Sequence, residues 1–455
     1  MSDPLIHRLL AIIVMALVSW RLSARYKNRR LLTLSGGLHF NALMSMGLAP
    51  LLYTMTFQSL EGERLMKEDI LAFSIEPYIC FVIGYALFCL FEARQKYEIS
   101  LFRRKSFHHG EMTPFQLFIL IGLVFVGVMG ARFGLSTSGA GTLFIIFYLL
   151  FYPMIILSVL KLNTKDAESM ILCVGLLIAT FILVFVSPWR SQLVLWTLSV
   201  IIGMMLRFRL PVRAVSLYGV GFALVFFLIA PFLQYKKTKS GDSDFSLLSA
   251  TVESQKISFE ERVEQSFGFI SARVNGVREM GFVGNGLAQG LTDKRMGETY
   301  SEALQQLIPR VIWPNKPVFN FTSGYRIARE IKLLGWEDDS TSAGLTIWPE
   351  AVINFGPYFL IIFVPFSFFL ATQVDRYSRK FIAESAGVWI LDTTYFFIAF
   401  NLVSVVQFGT QFIWTFIVVW LFSKMFLTRI NDTGPSFFDP PVTPLGQSGK
   451  SGRIS

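Results

Sequence analysis

The sequence predicts an all-α polytopic integral membrane protein of about eleven transmembrane helices with one large, partly helical external loop. Three observations predict it. Hydrophobic side chains make up 53% of the 455 residues and charged ones only 16%, about a third short of the roughly 25% of a soluble chain. Mean hydropathy is +0.53. Apolar runs of about 17–25 residues, the length that spans a bilayer core as helix, recur through both ends of the chain. These exclude a soluble enzyme, a disulfide scaffold and a disordered chain. A β-barrel is excluded as well, because the runs are continuous rather than alternating.

Apolar windows place the spans at 5–22, 37–57, 71–92, 115–133, 142–160, 170–187, 192–207 and 212–233, then at 347–371, 384–403 and 406–427. The first and seventh are short. Residues 1–233 thus carry eight helices, 234–346 form the loop, and 347–427 carry three more. Residues 428–455 are rich in Gly, Pro and Ser and read as a disordered tail. No small-residue cleavage site follows the first run, so a cleavable signal peptide is not expected. Cys80, Cys89 and Cys173 all lie inside apolar runs. Cys80 and Cys89 stand about 13 Å apart along one helix, too far for a disulfide, and read as small buried hydrophobes.

The formal charge of +10 raises the question of nucleic acid, and its placement answers it. Alternate loops and the tail hold 22 Lys and Arg, led by Arg21, Arg25, Lys27, Arg29 and Arg30 and by Arg94, Lys96, Arg103, Arg104 and Lys105. The intervening short loops hold four: Arg64, Lys67, Arg132 and Arg190. That bias marks the first set as cytoplasmic, with the N-terminus outside and the C-terminus inside. The basic excess is a topology signal, and no nucleic-acid partner is expected.

This orientation puts residues 234–346 outside the cytoplasm, with 14 basic and 14 acidic side chains. Phe259, Val263, Phe267, Ile270, Val274 and Val277 repeat at steps of three and four, which predicts an amphipathic helix. Thr299-Tyr300-Ser301-Glu302 fits a capping box that opens a second short helix, ended by Pro309.

Most catalytic signatures are missing. The chain has no Walker loop, HExxH, CxxC or GxSxG. Its histidines are His7, His39, His108 and His109, and the adjacent pair reads as part of a solvated basic loop. Neither a metal nor a cofactor is expected. The loop instead contains Ile308-Pro309-Arg310-Val311-Ile312-Trp313-Pro314-Asn315-Lys316-Pro317. Three prolines fix φ and remove amide donors, making a stiff, non-helical strap. An Arg fork binds a diphosphate bidentately, Lys adds a compact charge, and Trp offers a flat face that covers a sugar. A rigid loop on the bilayer surface, with Trp313 at the headgroups, fits the same residues.

The Pro-Arg-x-x-Trp-Pro-x-Lys-Pro strap in an external loop between two groups of spans, followed by Trp348-Pro349-Glu350-Ala351-Val352-Ile353-Asn354-Phe355-Gly356, resembles the Wzy-type O-antigen polymerases. The resemblance covers the span count, the loop position and these two motifs. It implies a glycosyltransferase of the bacterial inner membrane that polymerises undecaprenyl-diphosphate-linked oligosaccharide repeats at the periplasmic face. It also implies membrane lipid as surroundings, and it leaves open whether a chain-length regulator takes part.

Such a reaction needs cations for the leaving diphosphate, a cradle for sugars and a base for one hydroxyl. Arg310 and Arg273 are the first candidates for the charge, with Glu350 as the base at the external mouth of span nine. Arg190, Trp313, Lys316 and Arg326 are candidates for substrate binding. Each has a plainer reading. Arg190 can end a span, Arg273 can pair with Glu279, and Glu350 can favour a helix start. Asp338 and Asp339 read as solvated, and Asp392, inside span ten, as pairing with an Arg of a neighbouring helix. One rival is an O-antigen ligase, but ligases typically rely on a histidine in the large loop, and residues 234–346 contain none. The other is a lipid-oligosaccharide flippase or transporter, for which repeat symmetry and several midplane charges are expected.

Overall fold

The computed structural model describes residues 4–27, 32–55, 64–94, 119–127, 150–161, 191–208, 275–306, 322–333, 345–382, 385–400 and 405–426, with isolated positions between them. Among the described residues every regular element is helical. Helix α1 (Pro4–Lys27) leads to Thr33, whose extended backbone and side-chain oxygen cap α2 (Leu34–Ala42) by accepting the Gly36 amide at 3.2 Å. A π-helical turn, Leu43–Leu48, joins α2 to α3 (Ala49–Met55). Such turns loosen the regular ladder, and here the Met46 carbonyl accepts the Tyr78 hydroxyl of α4 (Arg64–Arg94).

Helices α5 (Phe151–Lys161) and α6 (Ser191–Phe208) pack closely, with Gly203 against the Val159 side chain. The large loop contributes α7 (Gly276–Ala288), α8 (Glu298–Gln306) and α9 (Thr322–Glu330). Then come α10 (Ile347–Phe355), a 3-10 turn at Pro357–Phe359, α11 (Leu360–Phe381), α12 (Ser385–Phe400) and α13 (Val405–Phe426).

Among the described residues three helices are long and apolar enough to cross a membrane, over Pro4–Arg25, Asp69–Glu92 and Pro357–Ser378. Shorter apolar helical stretches occupy Phe151–Leu160, Leu195–Met204, Val388–Ala399 and Gln411–Met425. Leu87, Leu90, Phe91, Ile362 and Phe366 are exposed on the outside of α4 and α11, where water would penalise them and acyl chains would not. The chain is an α-helical membrane protein. Of the eleven expected spans, 212–233 lies outside the described residues, and 115–133, 142–160 and 170–187 are described only in part.

One expectation is corrected. Residues 347–371 do not form a single span. The chain reverses at Gly356, whose φ of +84° suits glycine alone among the common residues. Pro357 then opens the 3-10 turn. Helices α10 and α11 therefore form a hairpin, with Phe355 beside Phe359 at 4.6 Å and Trp348 stacked deeper on Phe368 at 6.0 Å between ring centroids.

The two ends of the bundle differ. At one end α1, α2, α4 and α11 meet in buried charge. Glu92 pairs with Arg21 and, at 2.6 Å, with Arg25. Arg25 also donates to Ser35 Oγ at 2.7 Å. The Asp375 carboxylate accepts the Leu34 amide at 2.9 Å and the Ser35 amide at 3.1 Å, sitting where the α2 macrodipole favours an anion. At the other end of α4, roughly 33 Å away by helix rise, Ile70 and Phe73 receive α7. Between them an aromatic column of Trp348, Phe81, Phe368, Tyr85, Phe88 and His39 fills the core.

Candidate functional site

Two of the loop helices, α7 and α8, pack on α10 at the α7 end of the bundle, and α9 packs on α8. Helix α7 lies against α4 through small residues. A side chain at Gly281 would overlap the Ile70 carbonyl, and one at Gly284 would press on Phe73. This close approach buries Glu279. Its Oε2 accepts both the Thr346 amide, at 2.9 Å, and the Thr346 hydroxyl, at 2.7 Å. Thr346 is the N-cap of α10, so Glu279 ties the two helices together. Burial pushes the Glu279 carboxyl up to about 7, against the Thr346 hydrogen bonds and the charge of Arg278, which pull it down.

The other end of α10 is held by Asn354. Its Oδ1 accepts the Gly297 amide at 2.8 Å, and its Nδ2 donates to Thr299 Oγ1 at 2.8 Å and to the Glu350 carbonyl at 2.7 Å. The Arg295 amide adds a bond to the Ile353 carbonyl at 3.1 Å. Gly297, at φ +92°, makes the turn that allows this docking. Tyr300 is thereby laid on Phe355, with centroids 5.8 Å apart and planes 14° from parallel. Its hydroxyl stays protonated, because burial and then the charge of Glu350 raise its pKa.

Glu350 itself is 0% exposed. It sits not at an open mouth but in the first turn of α10, inside the bundle, because the break at Gly356 folds α10 back along α11. Arg326 is a second correction. It is half exposed, yet its guanidinium bonds Glu298 at 2.8 Å and reaches Glu330 at 3.7 Å, so its charge serves the loop rather than standing open to substrate. The same network includes Arg295, bonded to Glu330, to Glu298 at 3.4 Å and to Thr292 at 3.3 Å. It lowers the Glu298 pKa, chiefly through the Arg326 hydrogen bond.

Trp313 is half-buried. Arg310, Arg273, Arg190 and Lys316 lie outside the described residues, as do Asp338 and Asp339. Asp392 is buried within α12. The expected helix over 259–277 falls outside the described residues except for its last positions, where Val277 belongs to the first turn of α7. The expected short helix exists as α8, but it starts at Glu298, one residue before the proposed cap. Thr299 instead uses its hydroxyl on Asn354. Glu279, expected as an ion-pair partner of Arg273, has Thr346 on its carboxylate. The sequence alone assigned no role to Asn354 or Tyr300. The spacing of Gly276, Gly281, Gly284 and Gly286 was the available signal that α7 packs tightly enough to bury an acid.

Among the described residues no group of three or more His, Cys, Asp or Glu is placed to hold a metal ion. The arrangement offers two buried carboxylates, Glu279 and Glu350, a protonated phenol and a paired arginine network at one end of a helical bundle. No protein-family model, curated protein or solved structure matches the chain.

Proposed function

We propose that this protein polymerises undecaprenyl-diphosphate-linked oligosaccharide repeats into a long surface polysaccharide, acting from the periplasmic face of the bacterial inner membrane. The observation that carries the reading is the fate of Trp348-Pro349-Glu350-Ala351-Val352-Ile353-Asn354-Phe355-Gly356. The stretch that resembles the Wzy-type polymerases forms a short helix turned back into the bundle, with Asn354 clasping the loop and Glu350 buried beside it. A carboxylate so placed suits a base that works out of bulk water.

In this reading an acceptor hydroxyl loses its proton to Glu350 and attacks the anomeric carbon of the donor glycan. The bond to the diphosphate breaks, and its electron pair leaves on undecaprenyl diphosphate. Arg310 and Arg273 hold that leaving group, while Arg190, Trp313 and Lys316 bind the rest of the substrate. Arg326 keeps its loop role. The leaving group supplies the driving force, so no nucleotide is needed.

Deleting the gene tests this in cells. Surface glycan should shrink from a ladder to a single repeat on the lipid core, and a plasmid copy should restore the ladder. Bare core with long glycan left on the lipid carrier would identify a ligase instead. Repeats trapped on the cytoplasmic face would identify a flippase.

A further inference from the structure

On α8 and α10 two shielded donors have nothing to bond among the described residues. The Tyr300 hydroxyl and the Trp348 indole Nε1–H are both closed off from solvent, and neither meets an acceptor among the described residues. Their rings flank Phe363, each with centroids 6.2 Å from it. Trp348 stands two residues before Glu350 on α10 and is completely buried. Tyr300 is fixed by its stack on Phe355 and by the bonds that join Asn354 to Gly297 and Thr299 just before it. The same Asn354 amide bonds the Glu350 carbonyl, so one side chain sets the spacing of Tyr300 and Glu350.

A buried donor left without a partner destabilises the fold, because it has given up water and gained nothing in exchange. The Tyr300 hydroxyl, tied through Asn354 to the helix turn that carries the buried Glu350, describes a place built for a ligand that brings oxygen atoms. A hydrocarbon chain brings none. A sugar ring brings several, with an apolar face for the aromatic rings around it. We infer that Tyr300 belongs to the acceptor-sugar subsite, where its O–H donates to the attacking oxygen while Glu350 takes that oxygen's proton. This rests on the polymerase reading and locates one half of its chemistry. The acceptor O–H bond breaks toward Glu350, the oxygen bonds to the donor anomeric carbon, and the anomeric bond to the diphosphate breaks with its electron pair on the leaving group. Tyr300 gives up no proton in the step. It fixes the oxygen and steadies it while the bond forms.

The test is Tyr300→Phe in the full-length purified protein, which keeps the ring stack and deletes only the hydroxyl. The substrate is the glycolipid extract of the deletion strain, which accumulates the lipid-linked repeat. The expected result has two parts. The kcat/KM for polymerisation falls on the order of 10–100-fold, the worth of one donor made good only by substrate. The thermal midpoint of the ligand-free protein does not fall and rises by roughly 1–3 °C, because an unpaired buried hydroxyl has been removed. A merely structural tyrosine would lose stability on the same change. Unchanged kcat/KM, or a lowered midpoint, overturns the subsite while leaving a wild-type polymerase standing. Wild-type protein that leaves the extract unpolymerised overturns the polymerase reading and this inference with it.

Discussion

At the scale of single residues, the sharpest consequence belongs to Glu279. Its carboxyl in the folded protein titrates near 7, above the ordinary 4.5, because burial disfavours the anion. The sign follows from linkage. The neutral form is the one the fold favours, so the stability this group contributes is fully present below about pH 4.5 and is lost as pH rises through 7, when the buried carboxyl must ionise despite its bonds from Thr346. The shift corresponds to about 3 kcal/mol. Glu279→Gln keeps an acceptor for Thr346 and carries no charge. Its thermal midpoint should exceed that of the wild type at pH 8 and match it near pH 4.5. Parallel profiles across that range would show that Glu279 is not buried as a neutral acid. Arg310 carries the second residue-scale consequence, through its place in the strap. Losing one donor aimed at developing charge typically costs 10²–10³ in rate. Arg310→Ala should abolish the long-chain ladder at normal protein level in the membrane. Arg310→Lys keeps the charge but not the planar fork, and should stay strongly impaired. An intact ladder in Arg310→Ala would make the strap a structural loop.

At the scale of elements, what was legible in the sequence and what was not divide along a physical line. Helices that bury or face lipid over their whole length announce themselves by hydropathy, and α1, α4, α12 and α13 fall close to the spans at 5–22, 71–92, 384–403 and 406–427. The α10–α11 hairpin did not, because hydropathy is blind to direction. An apolar run reads the same whether it crosses once or doubles back. Only Gly356-Pro357 marked the reversal, a signal of backbone freedom followed by a fixed φ. The capping motif at Thr299 misled by a single residue, since its hydroxyl found a better partner in Asn354 than in its own helix. The glycine face of α7 gives a direct test. In Gly281→Val the new side chain would meet the Ile70 backbone, which cannot move aside as a flexible side chain could. The cost should be on the order of 1–3 kcal/mol, read as a lowered thermal midpoint. Gly290→Ala makes no such demand on space and separates crowding from the strain of a positive φ.

At the scale of the whole molecule, the charged cluster of Arg21, Arg25, Glu92 and Asp375 closes one end of the bundle, and the loop helices dock at the other. The ends of α1, α2, α4 and α11 meet there through Arg25, Ser35, Glu92 and Asp375. That Glu92 would pair with Arg21 and Arg25 was not legible, because these residues are brought together only by tertiary packing. Reporter fusions at Gly241 and Gly446 should give opposite signals, the first periplasmic and the second cytoplasmic. Matching signals would remove the basis for an external active site.

The candidate site was half legible for the same reason. Glu350 and Arg326 stood out as charges, but that the first is buried and the second paired was not legible, and Tyr300 became notable only once its hydroxyl had no partner among the described residues. The measurement that bears most directly on function is polymerisation by the purified protein alone. It would be supplied with undecaprenyl-diphosphate-linked repeats in the presence of a chelator and followed by mass spectrometry of the lipid products. The expected result is a series of two, three and more repeats on one carrier lipid, with one undecaprenyl diphosphate released for each new linkage. Single repeats that persist unchanged, or extension that stops with chelator and returns with magnesium, would contradict it.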